Sequence, residues 1–373
     1  MTAARSTEGR QAAPMRVVIA VDSFKGTIDA PEASAAVATG WRSMRPDDAV
    51  VEVPMADGGE GTLDALAAAV PGSVRIDVRV AGPDDRAVDA QFLRLPGGVA
   101  VVELASTSGI TLLDPLRPLT AHTRGFGTAI RAALDSGATG LLLAIGGSAS
   151  TDGGAGALRE LGARLLDADG RDIPDGGAGL LRLAAVDVET LVPLPPGGVR
   201  VLTDVVNPLL GPGGAAAVYG PQKGASPGEV LVLETGLARL AALLPADHAT
   251  PGAGAAGGTG FGLLAWGATL VSGAAAVADG AGLPAAVAAA DLVITGEGRF
   301  DGQSTQGKVP EAVRALAAAE GVPVVLVAGA IGADPIGFAS AVSLTDLVGR
   351  AASFADPAAA LRKAGAHLAM RVS

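Results

Sequence analysis

Arg16–Val21 is a β-branched run that stops at Asp22-Ser-Phe-Lys-Gly26, and the same arrangement recurs along the chain. Val50–Val53 leads to Asp57-Gly-Gly-Glu-Gly-Thr62, and Leu141–Ile145 to Gly146-Gly-Ser-Ala-Ser-Thr-Asp-Gly-Gly154. Val199–Thr203 leads to Asp204-Val-Val-Asn-Pro208, and Leu292–Ile294 to a glycine-broken loop carrying Glu297, Arg299, Asp301 and Lys308. Short apolar runs bounded by turn residues read as buried strands. Ala-rich helical patterns follow the first two, at Pro31–Arg45 and Leu63–Val70. Strand, loop and helix in alternation predict an α/β fold with a parallel sheet and right-handed crossovers. Loops at the carboxyl ends of such strands are where these folds bind ligands.

The middle of the chain reads differently. Val74–Val80, Ala87–Leu95 and Val99–Leu104 are successive strand-like runs. Their connections, around Gly82–Asp85 and at Pro96-Gly-Gly98, are too short for helices and predict an antiparallel meander. Alternation resumes with helices at Thr128–Ser136, Gly153–Gly162 and Pro227–Leu244. From Asp291 the parallel pattern returns, with a helix at Pro310–Ala319, a strand at Val322–Ala328 and a C-terminal helix at Phe354–Met370. The simplest organisation is a discontinuous parallel-sheet domain, 15–80 plus 288–373, with a mixed-sheet α/β domain, 81–287, inserted into it. Met1–Pro14 is polar and reads as a disordered extension.

A chain of 373 residues suits two such domains. Hydrophobic residues make up 49% but aromatics only 3%, so Ala, Val and Leu must fill the core. The net charge of −11 argues against a nucleic-acid partner, whose binding surface would be basic. It leaves room for a nucleotide held by local Lys, Arg and backbone N–H groups. There is no cysteine, which excludes disulfides, thiolate metal sites and Cys nucleophiles. His122, His248 and His367 are too scattered for a histidine metal cluster. No stretch reaches the roughly 18 consecutive apolar residues of a membrane helix. Met1–Pro14 lacks the apolar core of a signal peptide, so a cytoplasmic protein without a membrane partner is expected.

Two glycine motifs fail on context. Gly302–Lys308 matches the first seven positions of a P-loop, but Val309 stands where a hydroxyl should ligate Mg²⁺. What remains is Lys308 ahead of a helix, a phosphate contact or a surface lysine. Gly252-Ala-Gly-Ala-Ala-Gly257 follows His248-Ala-Thr-Pro251, which is no strand, so it reads as a close helix–helix or helix–ligand approach instead of a dinucleotide fingerprint. Gly146–Gly154 is stronger: a strand feeds a loop of small residues whose backbone N–H groups can cradle phosphate oxygens. Gly146, Gly147, Ser148, Gly153 and Gly154 belong to it, while Asp152 is either part of the ligand loop or a helix N-cap. Asp57 and Glu60 suit Mg²⁺ or a polyol, and Lys25 a carboxylate or phosphate. Asp204 suits the orientation or deprotonation of a substrate hydroxyl, with Asn207 nearby and Lys223 in a further loop.

Taken in order, these blocks resemble the bacterial glycerate kinases. They are Asp22–Gly26, Met55–Thr62, Gly146–Gly154, Asn207-Pro208, Gly220–Ala225, Pro251–Gly258 and Thr295–Arg299 with Asp301 and Gly307-Lys308. Val21, Thr151, Thr203 and Ser304 depart from the family's usual Pro, Asn, Cys and Thr. The resemblance implies ATP- and Mg²⁺-dependent phosphorylation of glycerate to 2-phosphoglycerate or 3-phosphoglycerate. It also implies two α/β domains, one Rossmann-like, with the site in the cleft between them. On position and resemblance together, Lys25 or Arg299 is expected to grip the glycerate carboxylate and Asp204 to act as base, with Asp57 its rival. Asp57, Glu60 and Asp301 are the expected Mg²⁺ ligands. Gly146–Gly154, with Lys223 and Lys308, is expected to hold the ATP phosphates. The competing reading is a non-catalytic two-domain binding protein for a small carboxylate or phosphate. Monomer and homodimer both stay open.

Overall fold

A computed structural model of the chain describes residues 13–302 and 308–372, which divide into two compact units. The first takes the chain up to Val53, Leu283–Gly302 and everything from Val313 on. The second takes Pro54–Gly282 together with the short return that contains Lys308. The expected extension at Met1–Pro14 lies almost wholly outside the described residues, as does the body of the P-loop-like segment, 303–307. The strands, in chain order, are β1 (Arg16–Val21), β2 (Ala49–Glu52), β3 (Val74–Ala81), β4 (Ala87–Arg94), β5 (Val99–Glu103), β6 (Gly140–Ala144), β7 (Arg164–Leu166), β8 (Ala185–Asp187), β9 (Val199–Leu202), β10 (Thr269–Val271), β11 (Leu292–Phe300), β12 (Val324–Ile331) and β13 (Ser340–Ser343).

In the first unit the sheet order is β13-β12-β11-β1-β2, and every pairing is parallel. β1 sits inside the sheet, which is why Val17–Val21 is apolar throughout and fully buried. The first helix, Ala30–Met44, starts where Asp29 accepts the Glu32 N–H at 2.8 Å and Pro31 pre-sets the first turn. It packs on the C-terminal helix Pro357–Ala369 through small residues. A Cβ on Gly40 would lie 1.9 Å from the Arg362 carbonyl oxygen, and one on Gly365 2.2 Å from that of Val37. Close backbone approach does here what large side chains do in an aromatic-rich core. The C-terminal helix begins later than the sequence suggests. Asp356 caps Pro357–Ala369 by accepting the Ala359 N–H, and Arg350–Ala355 is a separate helix.

β11 corrects a sequence expectation. Gly296 and Gly298 read as a break after Ile294, yet the strand continues to Phe300 and pairs with β12 as far as Phe300 opposite Ile331. Its glycines mark close contact. A Cβ on Gly296 would meet the Val327 carbonyl oxygen at 2.0 Å, and one on Gly329 the Gly298 oxygen at 2.3 Å. Glu297 and Arg299 are therefore strand residues, the first buried and the second exposed.

The second unit holds a six-stranded sheet in the order β10-β9-β6-β5-β4-β3. β10, β9, β6 and β5 are parallel, and β4 and β3 add the expected antiparallel meander. The two sheets bear out the α/β class, a discontinuous parallel-sheet unit with a mixed-sheet unit inserted. One face of the mixed sheet is covered by helix Arg124–Asp135, whose Phe126, Ala129, Ile130 and Ala133 are fully buried with Phe92, Val102 and Leu143. Helix Pro227–Leu243 adds Leu233, Leu237 and Leu240 to the same core. Its start is a complete capping box, Ser226 with Glu229, behind Pro227. β7 and β8 form a separate antiparallel pair.

Candidate active site

The parallel strands β5, β6, β9 and β10 end on one edge of the mixed sheet, and a cavity of about 640 Å³ opens among the loops that leave β6 and β9. Asp57, Gly58, Gly59, Gly146, Gly147, Ser148, Asp204, Asn207, Lys223 and Lys308 are among its lining residues. Every one comes from a segment picked out in the sequence. A second cavity, about 670 Å³, lies over β3 and β4, but its arginines already have partners, Arg75 with Asp64 and Arg79 with Asp89. The strand-end cavity is the better candidate because glycine backbone, carboxylates and lysines converge there.

Glycine makes this convergence possible. The Gly146 N–H donates to the Gly58 carbonyl at 3.1 Å. A Cβ on Gly146 would come within 2.6 Å of the Gly59 Cα, and one on Gly58 within 2.7 Å of the Leu202 Cβ. On the far side, a Cβ on Gly273 would sit 2.0 Å from the Asp57 carbonyl oxygen. The Asp57–Gly59 loop is thus wedged between the β6 loop and the start of helix Gly273–Gly280. Asp57 accepts the Gly59 N–H at 3.1 Å, which ties its carboxylate to the turn.

Asp204 leaves β9 and meets the same helix start, accepting the Gly273 N–H at 2.8 Å and the Ala274 N–H at 3.4 Å. Burial pushes its carboxyl up to about 6, the Ser272 hydroxyl and Gly273 N–H pull it down, and the Asp57 charge pushes it up again. Such a carboxylate is anchored, partly desolvated and close to a second acid, which suits a proton acceptor working near neutral pH. Asn207 is fixed by two bonds, donating to the Gly213 carbonyl and accepting from the Tyr219 hydroxyl at 2.6 Å.

The Gly146–Gly154 segment divides in two. Gly146, Gly147 and Ser148 line the cavity, and Gly147 takes a left-handed φ of 76°. Asp152, Gly153 and Gly154 turn into the interior and are not among the cavity's lining residues. Asp152 is fully buried and accepts from the Thr123 N–H and hydroxyl and from the Gly154 and Gly156 N–H groups. Its geometry is that of a bolt at the start of helix Ala155–Glu160. A Cβ on Gly153 would strike Leu240, so that glycine makes room for core. Behind the loop, the Lys223 side chain is 3% exposed and its Nζ donates to the Ser148 hydroxyl at 2.7 Å and to the Ser150 carbonyl. The glycine-rich segment around Gly252–Gly258 closes over this lysine, with Ala256, Gly257 and Gly258 all in left-handed conformation. A Cβ on Gly257 would lie 2.1 Å from the Ser150 carbonyl oxygen, which confirms the reading of that motif as close approach.

Lys25, Arg299 and Asp301 belong to the first unit. Lys25 is exposed in the loop after β1, and Arg299 forms an ion pair with Asp301 at 3.2 Å at the end of β11. Glu60 is exposed in the loop before helix Thr62–Ala69. Among the described residues no group of three or more His, Asp or Glu side chains is gathered as a metal cage. Mg²⁺ bound with phosphates needs only one or two carboxylates, so Asp57, at the cavity wall, fits such an ion with or without a companion.

Sequence reading missed Tyr219 and Val218 on the cavity wall, which lie outside the strand-end loops it singled out. It also missed Glu103, at the carboxyl end of β5, whose position was the same signal that picked out Asp204. Glu103 is buried and accepts the Leu63 N–H at 3.3 Å. Burial pushes it up to about 7, against the Leu63 and Gly61 N–H groups, with Asp64 and Glu60 adding like charge.

The profile of the Glycerate kinase family matches residues 17–373. The chain is 43% identical over 330 residues to the glycerate 2-kinase of Escherichia coli (strain K12), covering 86% of each. It is 44% identical over 330 residues to the glycerate kinase of Bacillus subtilis (strain 168), again covering 86% of each. A crystal structure assigned as glycerate kinase 2 from Salmonella typhimurium LT2 superposes with a TM-score of 0.85 at 39% identity, covering 96% of this chain and 98% of that one.

Proposed function

The chain belongs to the glycerate kinase family, and from that premise we propose that it transfers the γ-phosphoryl group of ATP to a hydroxyl of glycerate, favouring 2-phosphoglycerate over 3-phosphoglycerate. Membership of a kinase family sets aside the non-catalytic binding protein. The observation that carries the mechanism is the meeting of an open glycine loop and an anchored carboxylate in one cavity, Gly146–Ser148 with Asp204.

Phosphoryl transfer asks mainly for positioning and for neutralisation of charge on the transferred group. The Gly147 and Ser148 backbone offers N–H groups to phosphate oxygens, the Gly146 N–H being bonded to Gly58, and Lys308 adds a cation at the cavity wall. Asp204 accepts the proton of the glycerate hydroxyl as its oxygen bonds to the γ-phosphorus and the bond to the β–γ bridging oxygen of ATP breaks, releasing ADP. Asp57, with Glu60 or Asp301 as companion, would hold Mg²⁺, which would supply charge neutralisation on the phosphate oxygens when bound. Arg299, with Lys25 as the alternative, takes the glycerate carboxylate, because a guanidinium can offer it two parallel hydrogen bonds. The cytoplasm, where ATP is at hand, is the compartment this chemistry calls for. Among the described residues no helix is long and apolar enough to cross a membrane.

The test is direct. Purified protein with ATP, Mg²⁺ and D-glycerate should form ADP and a phosphoglycerate, and phosphorus NMR of the product should show the 2-phosphate ester. A glycerate-independent rate of ADP formation would overturn the substrate, and a 3-phosphate ester would overturn the position.

A further inference from the structure

Among the described residues, Lys223 is a buried amine without a counter-ion. Its Nζ donates to the Ser148 hydroxyl and the Ser150 carbonyl, both neutral. No carboxylate among the described residues forms an ion pair with it; Asp152 is the acid that acts on it, from a distance, and that carboxylate is already committed to Thr123, Gly154 and Gly156. An ammonium has three N–H donors, and two are used here. The side chain nevertheless lines the cavity, directly behind Ser148. A buried cation is tolerated when a charge partner arrives to complete it, and the described residues supply none at contact distance.

We propose that the polyphosphate held by the Gly146–Ser148 loop is the counter-ion that Lys223 lacks, and that its arrival loads one proton onto Nζ. This rests on the reading of that loop as the phosphate cradle. In the free protein, burial pushes the Lys223 ammonium down to about 7, only partly offset by Asp152, so above that pH the amine is mostly neutral. An anion beside it favours the charged form, and by linkage the anion then binds more tightly where protons are plentiful. Other charges face the same space. Asp57 and Asp204 line the cavity from the loops after β2 and β9, and Lys308 precedes the helix that starts at Val309. The proton comes from the buffer: the neutral amine, a proton and the nucleotide give the ammonium–nucleotide pair, and no other bond changes.

The experiment is calorimetric titration of the full-length protein with MgADP, without glycerate, in buffers of different ionisation enthalpy. At pH 8.5, well above the Asp204 value of about 6, the wild type should take up roughly one proton per nucleotide bound. Above pH 7 its affinity for MgADP should fall by on the order of tenfold per pH unit. Lys223→Arg keeps the cation, stays protonated throughout, and should bind MgADP with no proton uptake at pH 8.5. Lys223→Met should bind more weakly and also without uptake. Equal proton uptake by wild type and Lys223→Arg would sink the proposal while leaving the phosphate cradle intact. Failure of the folded wild type to bind MgADP would remove the cradle itself, and the proposal with it.

Discussion

Gly59 and Gly146 touch backbone to backbone: a Cβ added to Gly146 would stand 2.6 Å from the Gly59 Cα. Two loops that begin 87 residues apart in sequence, if counted between these glycines, are thereby locked into one wall of the cavity.

Gly146→Ala must push those loops apart. We expect a fall of at least about tenfold in kcat/KM, because misplacing groups by a fraction of an ångström costs at least about 1.4 kcal/mol of transition-state binding. Overpacking should also lower stability by about 1–3 kcal/mol in urea denaturation. Gly170→Ala serves as the control: its φ of 75° strains any side chain, but nothing lies within 4 Å. It should lose about 1 kcal/mol of stability and none of the activity. Normal kinetics in Gly146→Ala would mean that the loops have slack.

Asp204→Asn removes the proton acceptor while keeping the shape. Its kcat should drop by roughly 10² or more with little change in the KM for glycerate. The wild-type rate should decline on the acid side with a midpoint near the Asp204 value of about 6, since the carboxylate must be ionised to accept a proton. That limb should be missing from the residual rate of Asp204→Asn. A folded Asp204→Asn enzyme with near-normal kcat would transfer the role of base to Asp57.

Glu103 links β5 to the start of helix Thr62–Ala69, directly after the Asp57–Gly61 loop. Burial raises it from its ordinary 4.5 to about 7. The sign follows from that direction: the protonated form is favoured by folding, so this stability is complete below about pH 4.5 and is lost as pH rises through 7. Glu103→Gln should therefore gain stability relative to wild type between pH 5 and pH 8, by about 1–3 kcal/mol, followed by denaturation midpoints across that range. Parallel pH curves for the two proteins would contradict it.

Asp152 receives four donors in a dry environment. Asp152→Ala strands them and should cost about 2–5 kcal/mol, measured by urea unfolding, with partial recovery in Asp152→Asn. A loss under 1 kcal/mol would indicate that water enters to replace the carboxylate.

The parallel strands of the first unit, the antiparallel meander and the cavity's glycine loops were all legible, because period, turn residues and strand ends are local signals. Asp152 was harder: an Asp before a helix reads as a ligand or as a cap, and only its partners at Thr123, far away in sequence, decide for the interior. Lys223 was legible as a loop lysine but not as a buried one, since its burial comes from the Gly252–Gly258 segment folding over it. Gly296 and Gly298 misled for a related reason. A glycine that breaks a strand and a glycine that lets two strands approach look the same until the neighbour is known.

The continuity of β11 has a consequence for how this chain tolerates change. A strand counts in twos, so inserting one residue between Thr295 and Arg299 would exchange the two faces of everything after it. Phe300 holds a buried position and Arg299, on the opposite face, an exposed one, so such an insertion would carry a charge inward and an aromatic ring outward. Length variation between related chains should therefore be absent from Leu292–Phe300, whatever happens to the composition of the segment.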